Sequence, residues 1–346
     1  MKAYRFVNWQ QPPELMDVPI PQPGPGEVLI NVRGSGACHS DLHIMEWPPG
    51  QLGWEVPFTL GHETAGWVVE LGAGVTGFEI DEAVLVYGPW GCGRCRNCRL
   101  GMENYCRYAA EISGAGGGLG RDGGMAEYML VPSARFLVSI GGLDPAEAAP
   151  LGDAALTPYH AIKRSLPLLT PGTTAVVIGV GGLGHMAVQI LRAVSPAGIV
   201  AVDVAEDKLA LALDVGADAA FVADEEVTDR VRAFTDRRGA EVVLDFVGSD
   251  STMALGAKVA RSLGHLTVVG LNNGTFPFNF FALPYETSLA TTYWGSIPEL
   301  MEVLALAEAG KIKVHVERFP LEKAPEAYER MRGGALKGRA VIVPET

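Results

Sequence analysis

From Thr173 onward the chain alternates β-branched runs with helix-period runs in regular order, and few sequence features restrict a fold so tightly. The spacing predicts strand Ala175–Ile178, helix Leu183–Val194, strand Ile199–Val202, helix Asp207–Leu213 and strand Ala220–Val222. Helix Val227–Phe234, strand Glu241–Phe246, helix Thr252–Arg261 and strand Leu266–Val269 complete the series. Strands joined through helices run parallel, because only a long crossover returns the chain to the same end of a sheet. The fold class is therefore α/β, with a doubly wound parallel sheet covered by helices on both faces.

At the first strand-to-helix junction stands Gly179-Val180-Gly181-Gly182-Leu183-Gly184, which fits G-x-G-x-x-G. Its context identifies a dinucleotide site: a buried strand precedes it, a helix follows, and Asp203 closes the second strand about 20 residues on. Such glycines let the backbone turn tightly under a pyrophosphate seated at the helix N-terminus. Asp203 suits a ribose with free hydroxyls and repels a 2′-phosphate, so NAD is the expected cofactor. Val204 follows with no Arg or Lys beside it, and Lys208, one turn later, is the nearby cation that keeps a phosphate contact open. Gly118 to Gly123 fits the same glycine pattern without a preceding strand, and reads as a flexible loop.

The first ~150 residues read differently. Pro12-Pro13, Pro19, Pro21 and Pro23-Gly24-Pro25-Gly26 break the chain into short strands and loops, since proline this dense forbids long helices. A mostly β domain precedes the parallel sheet. After Gly270 the alternation lapses into an aromatic stretch, Phe276 to Pro284, and an edge-like strand near Leu289 to Trp294. Helix Pro298–Ala309, strand Lys313–Val316, helix Pro325–Arg332 and strand Ala340–Val343 then return to the first domain. A length of 346 residues suits two domains, and 48% apolar with 19% charged residues excludes wholesale disorder.

Four of the five cysteines crowd into Cys92-x-x-Cys95-x-x-Cys98 with Cys106 eight positions later. Four thiolates close the tetrahedral shell of Zn²⁺ and leave no open position, which makes a structural site. An iron–sulfur cluster uses the same ligands. The fifth, Cys38, lies in Cys38-His39-Ser40-Asp41-Leu42-His43, where a thiol, two imidazoles, a hydroxyl and a carboxylate share six residues. A catalytic zinc takes three protein ligands and keeps a vacancy, and His62 in Gly61-His62-Glu63 offers a second ligand.

With Ala37 to His43, Gly61-His62-Glu63-Thr64-Ala65-Gly66, the cysteine lobe and the Gly179 turn, the chain resembles, nearly end to end, the zinc-dependent alcohol dehydrogenases of the medium-chain dehydrogenase/reductase superfamily. Tyr87 to Cys92 and Leu156 to His160 bring it nearest in character to bacterial secondary-alcohol dehydrogenases of the Rhodococcus type. The resemblance implies a GroES-like catalytic domain over residues 1–153 and 290–346, with its structural zinc lobe at 91–107, and a Rossmann NAD-binding domain over 154–289. It also implies two zincs per chain. The implied reaction interconverts alcohols, secondary ones over a broad range, with ketones or aldehydes by hydride transfer to and from NAD.

Placed residue by residue, the resemblance matches Cys38 and His62 with catalytic zinc ligands and puts Asp153 where many relatives carry Cys and some bacterial ones Asp. Glu63 matches a second acid behind the metal. Ser40 and His43 match a proton relay, His39 and Arg339 residues that hold the pyrophosphate, and Thr157 a residue packed on the nicotinamide. Where relatives show Gly-Asp after a Val75-Thr76-Gly77-Phe78 turn, Asp81-Glu82 stands here.

Trp54, Leu119, Phe281, Tyr293 and Trp294 are candidates to line an apolar substrate pocket. A formal charge of −13 argues against nucleic-acid and anionic-membrane partners, which reward Lys and Arg, and leaves a small alcohol or ketone as the expected partner. Met1 to Gln10 lacks the apolar run of a signal peptide, so a cytoplasmic protein is expected. The resemblance suggests a homodimer or homotetramer joined at sheet edges near Leu289 to Trp294.

Overall fold

The computed structural model describes residues 1–345 and divides into two compact units. One comprises Met1–Asp153, Gly295–Glu308 and the chain from Val314 onward; the other comprises Ala154–Trp294 and Ala309–Lys313. The chain re-enters the first unit at Gly295 rather than near 290, because Ser288–Thr291 pairs in parallel with Ala260–Val268 and so extends the second unit's sheet.

In the first unit, a seven-stranded sheet runs in the spatial order Leu137–Ser139, Ala83–Val86, Glu63–Leu71, Val28–Gly36, Arg339–Val343, Val316–Pro320, with Tyr128–Val131 also paired to Val28–Gly36. All neighbours are antiparallel except the last two strands. A small sheet of Glu14–Asp17, Lys2–Phe6 and Phe58–Thr59 adjoins it. Register decides what this unit can do. Gly36 lies opposite both Glu63 and Val341, so the end of one strand and the starts of two others meet at one point. Cys38, His62 and Arg339 stand within two residues of that point in their own strands or connections. The strand expected at Lys313–Val316 forms at Val316–Pro320 instead, where it can pair with Arg339–Val343.

The second unit's six parallel strands are ordered Ala219–Val222, Gly198–Asp203, Thr174–Ile178, Ala240–Asp245, Ala260–Val268 and Ser288–Thr291. Val176, Ile178, Val200, Val202, Val243 and Leu266 fill one face against Val227, Val231 and Val259. Burial on both faces explains the nearly uninterrupted β-branched runs. The helix expected to reach Arg261 stops at Val259, and Ala260 begins the next strand directly. Among the described residues no helix is long and apolar enough to cross a membrane.

Candidate active site and cofactor turn

Cys38 precedes helix His39–Glu46, His62 precedes strand Glu63–Leu71, and Asp153 ends the 3₁₀ turn Ala149–Gly152. All three are buried, and their donor atoms lie within 4.8 Å of one another. Asp153 Oδ2 is 3.7 Å from Cys38 Sγ and 3.7 Å from His62 Nε2. Zinc bonds of 2.0–2.3 Å in a tetrahedron set ligand atoms about 3.3–3.8 Å apart, so sulfur, nitrogen and oxygen stand at a spacing that suits the ion.

The electrostatics agree with the spacing. Burial alone would lower the pKa of His62, yet the carboxylates of Asp41 and Asp153 on either side hold it well above its ordinary value. The pocket therefore favours positive charge at the point where a cation would be bound. Three deprotonatable donors, one fewer than the four that close a structural site, fit a catalytic zinc.

Asp41 is the residue that sequence reasoning missed. It is fully buried, its Oδ2 accepts the Cys38 backbone N–H at 2.9 Å, and its Oδ1 lies 3.2 Å from His62 Nδ1. One carboxylate thus addresses both a thiol-bearing and an imidazole-bearing residue. The Oδ1–Nδ1 approach is a close ionic contact without the alignment of a hydrogen bond, and a carboxylate so placed behind a metal-binding imidazole orients the ring. Its signal in the sequence was weak, because an Asp at the third helix position also serves as an ordinary cap.

Glu63 and Arg339 form a second buried pair. Arg339 Nε donates to Glu63 Oε2 at 2.9 Å, and its Nη2 contacts Glu63 Oε1 and lies 3.6 Å from Asp153 Oδ2. Burial pushes the Glu63 carboxyl up from its ordinary range, against the pull of that guanidinium. Arg339 thus offsets the charge of one ligand, Asp153, and of the acid beside the ligands, Glu63, a contact that the expectation of a pyrophosphate role did not contain.

Ser40 Oγ is 3.4 Å from His62 Nε2, on the same side of the ring as Asp153. His43 follows one helical turn later, so the two share a face. It is half-buried and stacked on Trp47, with ring centroids 6.5 Å apart. His39, the first residue of the helix, is exposed.

The four lobe cysteines are free thiols whose sulfurs cluster within 4.8 Å. Cys95 and Cys98 sulfurs are 3.4 Å apart, and those of Cys92 and Cys98 3.9 Å. Backbone N–H groups of Cys92, Cys95, Cys98 and Tyr108 point at Cys106, Cys92, Cys95 and Cys106 sulfurs respectively, a network that favours thiolates. The N–H groups of Cys98 and Arg107 bring Cys95 down to about 6 and, against burial, those of Arg94 and Cys95 lower Cys92, whereas burial raises Cys98 and Cys106, so the full thiolate set needs the charge of a metal. Four thiolates so arranged fit a closed structural metal site.

In the second unit, Gly179 adopts φ +84°, and Gly184, where a Cβ would press on the Gly179 carbonyl, lets the helix Gly184–Val194 start against the turn. A Cβ on Gly181 would meet nothing within 4 Å, leaving an open cradle over the turn. Asp203 Oδ2 accepts the Val180 N–H at 2.7 Å and its Oδ1 that of Ala205 at 3.0 Å, so this carboxylate is tied to the turn. These features suit a dinucleotide. Gly182 and Leu183 complete the turn, Lys208 is half-buried on helix Glu206–Asp214, and Thr157 is buried on helix Leu156–Ser165.

The proposed pocket residues do not gather in one unit. Trp54, edge-on to Phe58, and buried Leu119 belong to the first. Phe281, Tyr293 and Trp294 belong to the second, and there Phe281 is 81% exposed while Trp294 is buried. The loop at Gly118 to Gly123, expected to be flexible, is tightly packed: a Cβ on Gly118 would come within 2.5 Å of the Gly61 backbone. Gly124 N–H also donates to the Gly61 carbonyl at 2.8 Å, so this glycine-rich turn presses on the residue before His62.

Comparisons with known proteins match both halves of the chain. The alcohol dehydrogenase GroES-like domain matches residues 24–141 and the zinc-binding dehydrogenase domain residues 182–309. The NAD-dependent alcohol dehydrogenase of Sulfurisphaera tokodaii is 36% identical, with 99% of this chain and 100% of that protein aligned. The crystal structure of the alcohol dehydrogenase from Aeropyrum pernix matches at TM-score 0.92 and 34% identity over 99% of this chain and 100% of that one. The acetophenone reductase of Geotrichum candidum, solved in complex with NAD, matches at TM-score 0.85 and 33% identity over 99% and 96% of the two chains.

Proposed function

Because the chain belongs to the zinc-type alcohol dehydrogenases of the medium-chain dehydrogenase/reductase superfamily, we propose that it interconverts alcohols, secondary ones over a broad range, with ketones or aldehydes by hydride transfer, using NAD. It is an oxidoreductase acting on alcohols. The observation that carries the reading is the buried trio Cys38, His62 and Asp153, whose donor atoms stand at zinc-ligand spacing. The preference for secondary alcohols draws support from the likeness to an acetophenone reductase, whose substrate is a ketone.

Zinc held by this trio supplies Lewis acidity that lowers an alcohol's pKa toward neutrality, and NAD supplies the hydride acceptor. The chain's own residues do the rest. Ser40 Oγ takes the alcohol proton while its own hydroxyl proton passes on towards His43, one turn along the same helix; the 3.4 Å approach of Ser40 to the ligand ring supports its place beside the reacting oxygen. Asp41 holds His62 with Nε2 directed at the metal position. Glu63, kept in place by Arg339, stands as the second acid beside the ligands. Asp203 receives the adenosine ribose, the glycine turn and Lys208 the phosphates, and Thr157 the nicotinamide.

Cys92, Cys95, Cys98 and Cys106 hold a second, structural zinc, which makes two per chain. Two or four copies associate through the outer edge of Ser288–Thr291, a strand paired on one side only among the described residues. The test is a steady-state panel of 2-propanol, an aryl ketone, a polyol and formaldehyde with a thiol, each with NAD(H) and NADP(H). Fast turnover of 2-propanol and the aryl ketone with NAD(H) is expected. Preference for the polyol, or for NADP(H), overturns the corresponding part of the reading.

A further inference from the structure

Tyr328 lies on helix Ala324–Arg332, where Ala324, Ala327, Tyr328 and Met331 form the buried face. In sequence that pattern is an ordinary core stripe. In the structure the Tyr328 hydroxyl donates to Asp41 Oδ2 at 2.9 Å, across 287 positions of sequence, and both side chains are buried. The ring is held from the other side by Tyr4, stacked at 6.2 Å and 20°, and the hydroxyl also lies 3.4 Å from Met125 Sδ.

We propose that Tyr328 is a positioning residue of the Cys38–His62–Asp153 site, acting through Asp41; this rests on the reading of that trio as the catalytic zinc site. Asp41 Oδ2 receives two donors, the Cys38 N–H and the Tyr328 hydroxyl, both at 2.9 Å. Two donors on one oxygen fix the rotation of the carboxylate, and that rotation alone decides whether Oδ1 faces His62 Nδ1, 3.2 Å away. With the backbone donor only, the carboxylate can turn and carry its charge away from the imidazole, which it faces at 3.2 Å as an ionic contact rather than an aligned hydrogen bond. The helix near the C-terminus therefore braces a metal ligand near the N-terminus through one hydroxyl.

The test compares zinc release to an excess of a chromogenic chelator from the full-length wild type, Tyr328→Phe and Tyr4→Phe. Removing a partner behind a metal-binding histidine typically weakens metal affinity about 10- to 100-fold, and a residue one bond further out is expected near the lower figure, about tenfold. Tyr328→Phe should release one zinc per chain about tenfold faster and the other at the wild-type rate. Tyr4→Phe, which keeps the stacked ring, should release both as wild type does. In cobalt-loaded protein, Tyr328→Phe should shift the ligand-field bands of the site that Cys38→Ser abolishes.

Wild-type rates for both zincs in Tyr328→Phe, with unshifted cobalt bands, overturn the proposal. So does equal acceleration of both zincs, which marks general loosening. A wild-type zinc content that Cys38→Ser does not reduce overturns the reading of the trio itself, and the proposal with it.

Discussion

Gly36 and Glu63 stand opposite each other on neighbouring antiparallel strands, and the Glu63 carboxylate fills the volume that any side chain at position 36 would need. A Cβ on Gly36 would lie 2.8 Å from Glu63 Cδ, closer still to Oε2. The absence of a side chain at one residue is thus what admits a buried acid at the other.

Gly36→Ala should push Glu63 off Arg339 and leave a buried ion pair broken. Such breakage costs about 3–5 kcal/mol, so urea unfolding should show a stability loss of about 3 kcal/mol. A loss below about 0.5 kcal/mol would mean that the pair tolerates displacement.

Ser40→Ala leaves Cys38, His62 and Asp153 untouched and removes only the hydroxyl 3.4 Å from the ligand ring. Zinc content should hold while turnover falls about 100-fold or more, the usual worth of a positioned proton carrier. Undiminished turnover contradicts the relay.

Asp203→Gly should erode the NAD preference by removing the acceptor for the ribose hydroxyls. The structure adds a second consequence, since Asp203 Oδ2 also receives the Val180 N–H at 2.7 Å. The KM for NAD should therefore rise about tenfold or more, with a smaller change for NADP, as steady-state kinetics with both cofactors will record.

The parallel sheet and the four-cysteine cluster were legible from sequence because each is a local signal: period, a glycine turn, cysteine spacing; Asp153 joined Cys38 and His62 only through the family resemblance. What escaped depends on strand register and on contacts far apart in the chain. Asp41 has no role of its own in the sequence until His62 is beside it, and Arg339 reads as a cofactor contact until Gly36 pairs with both Glu63 and Val341. Gly118 to Gly123 reads as a loose loop because nothing local announces that it packs on Gly61. Helix Asp250–Val259 ends two residues short of Arg261, since Ala260 and Arg261 suit a helix intrinsically but are taken up by the sheet.

His265 carries a pH signature. Burial lowers its pKa below 6.5, and the Arg164 charge lowers it further, while Ser288 and Thr267 hydroxyls sit 2.6 and 2.9 Å from its two ring nitrogens. A depressed folded-state pKa means that the unfolded chain binds more protons, so stability falls as pH drops through 6.5 toward the folded value. Wild type should lose Tm faster than His265→Gln between about pH 6.5 and 5. Parallel Tm curves would show that His265 does not titrate differently on unfolding.

The central claim is that one zinc, at Cys38, His62 and Asp153, is the seat of NAD-dependent alcohol oxidation, and that the other only holds the cysteine lobe. It is tested most directly by measuring zinc per chain and NADH formation from 2-propanol on the same samples of wild type, Cys38→Ser and Cys98→Ser. Two zincs in wild type, one in each variant, and activity abolished in Cys38→Ser but retained by folded Cys98→Ser is the result expected. Full activity in a Cys38→Ser protein lacking one zinc would contradict it.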